Sequence, residues 1–233
     1  MDYQGRTVVI TGGTGGLGTA VVDALIAAGA ACHVPYRTEA DAQTYRHRGH
    51  KQVTLHPQID LTDEDAVGSF YQQISNLWAS IHLAGGFAPG RTAATGKSVL
   101  AGQLNVNVMT CYLCCRGALT AMATHAAGGR IVNVAARPAL EWRSGAGMTA
   151  YGASKAAVAA LTVALAEEVA KDNVLVNAVA PSILDTPANR KAMPKADYTL
   201  WPKVEDVAQT ILFLASPANK VTRGAIVPVY GRT

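Results

Sequence analysis

The 233-residue sequence contains few charged residues and few aromatic residues, at 15% and 6% of the chain. Apolar residues make up 49%, so the chain can bury a sizeable core, which excludes an intrinsically disordered protein. The net charge of +4 is small and is spread along the chain. The composition therefore gives no reason to expect nucleic acid as a partner.

No apolar stretch of the sequence reaches the ~20 residues that a membrane-spanning helix requires, and the first residues lack the apolar core of a signal peptide. We therefore expect no membrane partner and a cytoplasmic location. The chain has four cysteines, Cys32, Cys111, Cys114 and Cys115, and no second Cys/His pair lies at metal-ligand spacing. This pattern favours buried, reduced thiols and no metal site.

Short β-branched segments alternate with longer alanine-rich helical segments. Several strand candidates are apolar at successive positions, which is typical of strands covered on both faces. The helix candidates include Asp63–Trp78 and Leu104–His125, and the fourth strand candidate is Ile81–Ala84. This alternation predicts a doubly wound, Rossmann-type α/β fold with a parallel sheet of about seven strands. No linker divides the chain, so residues 1–233 are predicted to form one dinucleotide-binding domain.

A glycine-rich segment follows the first predicted strand and leads directly into a helix. Glycines allow positive φ and let backbone N–H groups approach a pyrophosphate, while the helix N-terminus adds partial positive charge. A strand, a glycine-rich turn and a helix in this order predict a nucleotide site, although a tight turn without a ligand is the alternative. The residues assigned to this site are Gly12, Thr14, Gly16, Leu17 and Gly18.

Tyr151 and Lys155 are four residues apart in a strongly helical segment, so they share one helix face. A free phenol has a pKa near ~10 and is a poor proton shuttle at neutral pH. An ammonium group one turn away is expected to lower the pKa of the phenol and to favour proton transfer. An ordinary surface pair is the alternative interpretation.

The Thr-Gly-x-x-x-Gly-x-Gly loop and the Tyr-x-x-x-Lys helix together resemble the short-chain dehydrogenase/reductase family. The resemblance implies that Tyr151, Lys155 and Asn107 are the catalytic residues. It also implies a set of cofactor contacts beyond the glycine loop, formed by Asp60, Leu61, Ala84, Gly85, Gly86, Tyr151, Lys155, Pro181, Ile183 and Thr186.

The sequence departs from this family at the serine that usually orients the substrate carbonyl, because Ala136 stands in its place. Ser144 lies within a glycine-rich loop, and we do not expect it to take the place of this serine. His82 and Leu83 also replace the asparagines that usually precede Ala84. Two interpretations follow: the chain is a catalytically silent protein that binds and senses NADP, or its substrate needs no serine donor.

Three segments, 84–90, 135–141 and 184–201, resemble dihydropteridine reductases, which are short-chain reductases without a catalytic serine. The resemblance implies hydride transfer from nicotinamide to a small C=O or C=N-type acceptor, with Tyr151 as proton donor. Segment 186–201 is expected to cover the substrate, with Trp201 or Phe87 stacking on a flat ring. Asn107 is retained as in ordinary carbonyl reductases, so these remain the second possible substrate class.

The end of the second predicted strand indicates which dinucleotide binds. Tyr36 stands where an acid would select NAD, and Arg37 follows it. A guanidinium can hold a 2′-phosphate by charge-assisted hydrogen bonds, so the sequence favours NADP(H) over NAD(H), unless Arg37 is an ordinary solvated residue. The expected partners are a small-molecule substrate and further copies of the chain, as a homodimer or homotetramer, although alanine-rich helix faces are equally typical of a core.

Overall fold

The computed structural model describes residues 1–123 and 128–233. Within these residues one parallel sheet has seven strands in the order β3-β2-β1-β4-β5-β6-β7. The strands are Thr7–Thr11 (β1), Ala31–Pro35 (β2), Val53–His56 (β3), Leu77–His82 (β4), Gly129–Val134 (β5), Val174–Pro181 (β6) and Ile226–Val229 (β7). The predicted single-domain, doubly wound α/β fold is confirmed.

Helices cover both faces of the sheet. In the described part of the chain they are Gly16–Ala27 (α1), Glu39–Gln43 (α2), Glu64–Gln72 (α3), Lys97–Gln103 (α4), Thr110–Met122 (α5), Arg137–Leu140 (α6), Thr149–Glu168 (α7), Pro187–Ala192 (α8) and Val204–Ala215 (α9). Helices α1 and α9 pack on one face, and α3, α5 and α7 pack on the other. Burying both faces explains why the strands are apolar at successive positions.

The predicted helix Asp63–Trp78 is wrong at its C-terminal end. Helix α3 stops at Gln72, and Asn76 then adopts a left-handed conformation with φ of 54°. All six residues of β4 are buried at the centre of the sheet, so this burial overrides the helical pattern. The strand candidate Ile81–Ala84 consequently starts four residues too late.

The predicted helix Leu104–His125 is interrupted near its start. Helix α4 precedes it, a π-helical turn spans Leu104–Met109, and only then does α5 begin. Asn107 lies in this turn and is buried. Single π-helical turns inside helices are often found at functional sites. The predicted end at His125 lies outside the described residues.

Helix α7 is long and apolar enough to span a membrane by length and composition alone, contrary to the expectation from sequence. Only 28% of its most apolar window is buried. It nevertheless packs along β5 and β6 as one of the helices that cover the sheet. The core helix of a globular protein passes the same test, so the expectation that the chain has no membrane partner remains a prediction.

The order of the strands reverses between β1 and β4. Both strands are parallel, and Thr11 at the end of β1 pairs with His82 at the end of β4. The loops that follow these strands therefore adjoin at the carboxyl edge of the sheet. In open α/β sheets this edge, at the reversal point, is where ligands bind.

Candidate active site

The glycine loop lies at the reversal point and is held against the loop after β4. Gly12 has φ of 67°, and a Cβ atom there would lie 2.7 Å from the backbone nitrogen of Ala84. A Cβ atom on Gly18 would overlap the Gly12 carbonyl oxygen. These two positions therefore require glycine for the loop to pass close to both β4 and the first turn of α1.

The N-terminus of α1 has the features of an anion site. Its N-cap residue, Gly15, has no side chain to occupy the free N–H groups of the first turn, and that turn has no acidic residue. Gly15 and Gly16 are exposed, and Thr14 is half-buried beside them. Free N–H groups and the helix dipole at this point fit the pyrophosphate of a dinucleotide.

The segment after β6 reaches the same loop. A Cβ atom on Gly16 would lie 3.2 Å from the Cγ2 methyl of Thr186, which is also the N-cap of α8. Pro181 ends β6, and Ile183 is partly exposed between these two residues. Of the sequence-predicted contacts after β6, Thr186 therefore borders the glycine loop.

Asn107 joins the loop after β4 to the helical layer. Its Oδ1 accepts a hydrogen bond of 2.9 Å from the Gly86 backbone nitrogen, and its Nδ2 donates one of 3.0 Å to the Gly86 carbonyl. A Cβ atom on Gly85 would lie 2.7 Å from Asn107 Oδ1 and 3.5 Å from Lys155 Nζ. The structure thus brings Gly85, Asn107 and Lys155 together, although they are far apart in sequence.

Lys155 is almost fully buried, with 7% of its surface exposed. Its Nζ donates a hydrogen bond of 2.8 Å to the carbonyl oxygen of Val134, at the end of β5. Burial lowers the pKa of Lys155 to about 8, while the nearby Cys111 acts in the opposite direction. The ammonium group is therefore held at the carboxyl edge of the sheet.

Tyr151 has a pKa that differs from the sequence-based expectation. Burial raises the pKa of the phenol to about 12, so the expected lowering by Lys155 is wrong for the structure. The hydrogen bond of Lys155 goes to Val134 instead, and the ring of Phe87 packs edge-on against Tyr151 at 4.9 Å. A phenol with a raised pKa keeps its proton at neutral pH.

Ser154 is a site residue that the sequence analysis missed. It is fully buried, accepts a hydrogen bond of 3.0 Å from Asn107 Nδ2 and donates one of 2.8 Å to the Tyr151 carbonyl. Ser154 therefore links the π-helical turn to the first turn of α7. A polar residue one turn after Tyr151 in an alanine-rich helix is the feature that could have indicated it.

The position of the missing serine is filled by a buried alanine. Ala136 is the N-cap of α6 and has no side-chain group to bond a substrate. Ser144 is exposed, and its hydroxyl donates to the Glu141 carbonyl at 2.8 Å. Ser144 is therefore engaged in its own turn, as its glycine-rich surroundings predict.

The residues predicted to contact the adenosine part of the cofactor lie after β2 and β3. Arg37 is exposed, and the Tyr36 hydroxyl donates to Glu39 at 3.1 Å. Hydrogen bonds from Thr62 lower the pKa of Asp60, and Arg37 adds to this effect, so Arg37 lies near that carboxylate. Leu61, beside Asp60, is partly buried against the core, as Leu17 is at the glycine loop.

The segment expected to cover the substrate contains a packed aromatic pair. Trp201 is buried, and its ring lies 4.9 Å from that of Tyr198. This burial leaves Trp201 little exposed surface for stacking on a flat ring, so that contact stays a prediction. Phe87, with 57% of its surface exposed beside Tyr151, keeps a face for such a contact.

The burial of Lys155 has a consequence for stability at high pH. The folded chain releases the Lys155 proton near pH 8, whereas an unfolded lysine keeps it until about pH 10.5, so the unfolded state binds more protons between these values. Relative to a Lys155→Met variant, we expect the wild-type free energy of unfolding to rise by about 3 kcal/mol between pH 7 and pH 11. Urea unfolding of both proteins across this range measures the difference, and a constant difference would contradict the lowered pKa.

A family model described as short chain dehydrogenase matches residues 6–197. Galactitol 2-dehydrogenase from Rhizobium johnstonii is 33% identical, over 98% of this chain and 97% of its own length. Cis-4-hydroxycyclohexanecarboxylate dehydrogenase from Sinomonas cyclohexanicum is also 33% identical, over 98% of this chain and 96% of its own length. Both alignments span nearly the whole length of this chain and of the relative.

Solved structures agree with these relatives. The structure of ElxO with NADP bound superposes with a TM-score of 0.87 at 26% identity and covers 97% of each chain. The structure of gox2181 superposes with a TM-score of 0.90 at 26% identity, over 99% of this chain and 96% of its own. The chain therefore belongs to the short-chain dehydrogenase/reductase family of NAD(P)-dependent oxidoreductases.

Proposed function

We propose that this oxidoreductase is an NADPH-dependent reductase of a small C=O or C=N-type acceptor, with Tyr151 as the proton donor. The observation that supports this most is the arrangement of Asn107 and Lys155 beside Gly85, one turn of α7 from Tyr151. The resemblance to dihydropteridine reductases places a pterin-like ring among the candidate acceptors, and ordinary ketones are the other candidates.

Each of these side chains has a distinct role in the proposal. A bound nicotinamide would supply the hydride. The Lys155 ammonium would hold the nicotinamide ribose, and its hydrogen bond to Val134 fixes it at the end of β5. Tyr151 transfers its phenolic proton to the acceptor atom that gains negative charge. Asn107 fixes the Gly86 backbone, which keeps the loop after β4 in place beside the cofactor.

The raised pKa of Tyr151 leaves the phenol protonated at neutral pH, which is the form that donates a proton. The edge-on contact with Phe87 keeps the phenol in apolar surroundings on one side. In the proposal, Tyr151 gives up this proton as the acceptor gains negative charge.

A panel of acceptors tests this function. Turnover with NADPH is measured for a quinonoid dihydropterin, ketones and quinones, with NADPH binding followed separately by fluorescence. We expect at least one acceptor to be reduced. Binding of NADPH without reduction of any acceptor would instead support the silent, NADP-sensing alternative, which the buried Ala136 favours.

Restoring a hydroxyl at Ala136 separates the two acceptor classes. If the alanine occupies the carbonyl-orienting position, Ala136→Ser should leave a pterin-type reduction unchanged or slower and should improve a weak ketone reduction. The hydroxyl helps an oxyanion-like transition state but is not required where Tyr151 and the cofactor suffice. Rates for both acceptors are compared with wild type, and a large loss of ketone reduction with intact pterin reduction would contradict this assignment.

The preference for NADPH is part of the proposal and rests on Arg37. The guanidinium is exposed at the end of β2 near Asp60 and Asp41, and Asp41 is held by hydrogen bonds from Thr38. A 2′-phosphate would meet a cation at this point and no carboxylate at position 36. The ElxO structure contains NADP, which is consistent with this choice for a relative of the same fold.

Exchanging the charge at the end of β2 should reverse the preference for NADPH over NADH. We expect wild type to bind NADPH roughly 10- to 150-fold tighter than NADH, from one charge-assisted interaction with Arg37. The double variant Tyr36→Asp/Arg37→Ala should prefer NADH, because it adds a ribose acceptor and a like-charge clash. Fluorescence titration of both reduced cofactors measures this, and the wild-type preference should shrink with salt. Equal wild-type affinities would show that Arg37 is only a surface residue.

Self-association into a homodimer or homotetramer is also proposed. Apolar side chains on the outer faces of the π-helical turn, α5 and α7 are about half exposed: Met109, Tyr112 and Val163 at 45%, 53% and 44%. The low burial of the apolar helix α7 agrees with a surface that is covered by another copy. Analytical ultracentrifugation measures the number of chains in the oligomer.

A cytoplasmic location is also part of the proposal.

A further inference from the structure

A cluster of buried donor atoms lies between α5 and the sheet, outside the set of residues assigned above. His82 ends β4, Asn133 is on β5, and Cys111 and Cys115 are one turn apart on α5. The ligand atoms of His82, Cys111 and Cys115 all lie within 4.8 Å of one another. In the part of the chain that the structure describes, no other three His, Cys, Asp or Glu side chains meet this criterion. All four side chains are at most 5% exposed.

The distances within the cluster are close to those of a tetrahedral zinc site. Cys115 Sγ lies 3.6 Å from His82 Nδ1 and 3.6 Å from Asn133 Oδ1. With Zn–S near ~2.3 Å and Zn–N near ~2.0 Å, a tetrahedron places sulfur and nitrogen roughly 3.5 Å apart. His82 Nδ1 and Asn133 Oδ1 are 2.8 Å apart. They would have to move only slightly further apart to bind the same tetrahedral ion.

Neighbouring hydroxyl groups hold the two polar side chains in the required orientation. His82 Nε2 lies 2.9 Å from Ser80 Oγ and 3.4 Å from the Tyr71 hydroxyl, so it can donate there when Nδ1 is a ligand. Asn133 Nδ2 donates to Thr162 Oγ1 at 2.9 Å, which turns Oδ1 toward the thiols. The hydrogen-bond partners that orient a ligating histidine are therefore already present.

We propose a closed structural site for a thiophilic divalent cation, most simply Zn²⁺. Its four ligand atoms are His82 Nδ1, Cys111 Sγ, Cys115 Sγ and Asn133 Oδ1. Binding breaks the two S–H bonds, releases two protons to solvent and forms two metal–thiolate bonds, with no change of oxidation state. The cation and two thiolates together are neutral, which suits a buried position. Four protein donors leave no open position, so the site joins β4, β5 and α5 rather than activating a substrate.

The spacing of the cysteines did not predict this site, because its third ligand comes from another strand. His82 is brought to Cys111 and Cys115 by the packing of α5 on β4 and β5.

Metal content of the purified protein tests the proposal independently of catalysis. Because the site is closed, the chain is produced in zinc-supplemented medium, dialysed against metal-free buffer and analysed by plasma mass spectrometry. We expect about one zinc per chain in wild type and at least a tenfold loss in Cys111→Ala and Cys115→Ala. Cys114→Ala is the matched control, since this buried thiol is on the same helix but interacts with Tyr71; it should retain zinc.

A cobalt-loaded wild-type chain provides a second measurement that needs no variant to fold. We expect thiolate-to-cobalt charge-transfer absorption and the d–d bands of a tetrahedral ion. Wild type without bound metal, full metal content in the Cys111→Ala/Cys115→Ala double variant, or a cobalt spectrum without thiolate bands would each overturn the proposal.

Discussion

Replacing Tyr151 with phenylalanine is expected to lower turnover by roughly 10²–10⁴-fold, because the variant keeps the ring but cannot donate a proton. The affinity for NADPH should stay within a few-fold of wild type, since the phenol serves proton transfer rather than cofactor binding. The edge-on packing against Phe87 uses the ring and not the hydroxyl, so the variant should also keep the local structure. Steady-state rates and fluorescence titration with NADPH measure the two quantities.

Tyr112 offers a matched control for this substitution. It is exposed on α5, on the surface proposed for self-association, and phenylalanine keeps its ring there. Tyr112→Phe should therefore leave the oligomer, turnover and NADPH affinity unchanged. Full activity in Tyr151→Phe would remove the proton-donor role from Tyr151. A large loss of NADPH affinity in the same variant would instead assign the phenol to the cofactor.

Replacing Lys155 with methionine is expected to damage both cofactor binding and turnover. Methionine has a similar length and suits the buried position, but it has no ammonium to hold the nicotinamide ribose. A hydrogen bond to a charged group contributes roughly 1.5–3 kcal/mol, so NADPH affinity should fall by roughly 10- to 150-fold. Turnover at saturating NADPH should fall as well, because the cofactor is no longer fixed beside Tyr151.

The exposed Lys171 provides the control for the loss of a positive charge. Lys171→Met should change neither quantity. If Lys155→Met keeps wild-type affinity and wild-type turnover, the placement of Lys155 on the ribose is wrong. The affinity is measured by fluorescence titration and the turnover with the best acceptor of the panel.

Local sequence patterns predicted the parts of the molecule that depend on neighbouring residues. The glycine loop has glycines at positions 12 and 18, where the structure shows that an added Cβ atom would clash with the backbone. Tyr151 and Lys155 share a helix face because four residues make about one turn. The alternation of strands and helices likewise predicted the order of the layers, because parallel strands require helical crossovers.

The features that the sequence did not predict depend on contacts between distant segments. The start of β4 at Leu77 follows from burial at the centre of the sheet rather than from local propensity. The raised pKa of Tyr151 and the hydrogen bond of Lys155 to Val134 follow from the packing of α7 on β5. Spacing along the chain gave no indication that His82 lies beside two cysteines of α5.

Single-turnover oxidation of bound NADPH measures whether Tyr151 donates the proton that accompanies hydride transfer. Wild type and Tyr151→Phe are each loaded with one equivalent of NADPH and mixed in a stopped-flow instrument with the acceptor that is reduced fastest in the panel. We expect NADPH fluorescence to decay in a single exponential in wild type and roughly 10²–10⁴-fold more slowly in the variant. Equal rates in the two proteins, or no decay in wild type with any acceptor, would contradict this expectation.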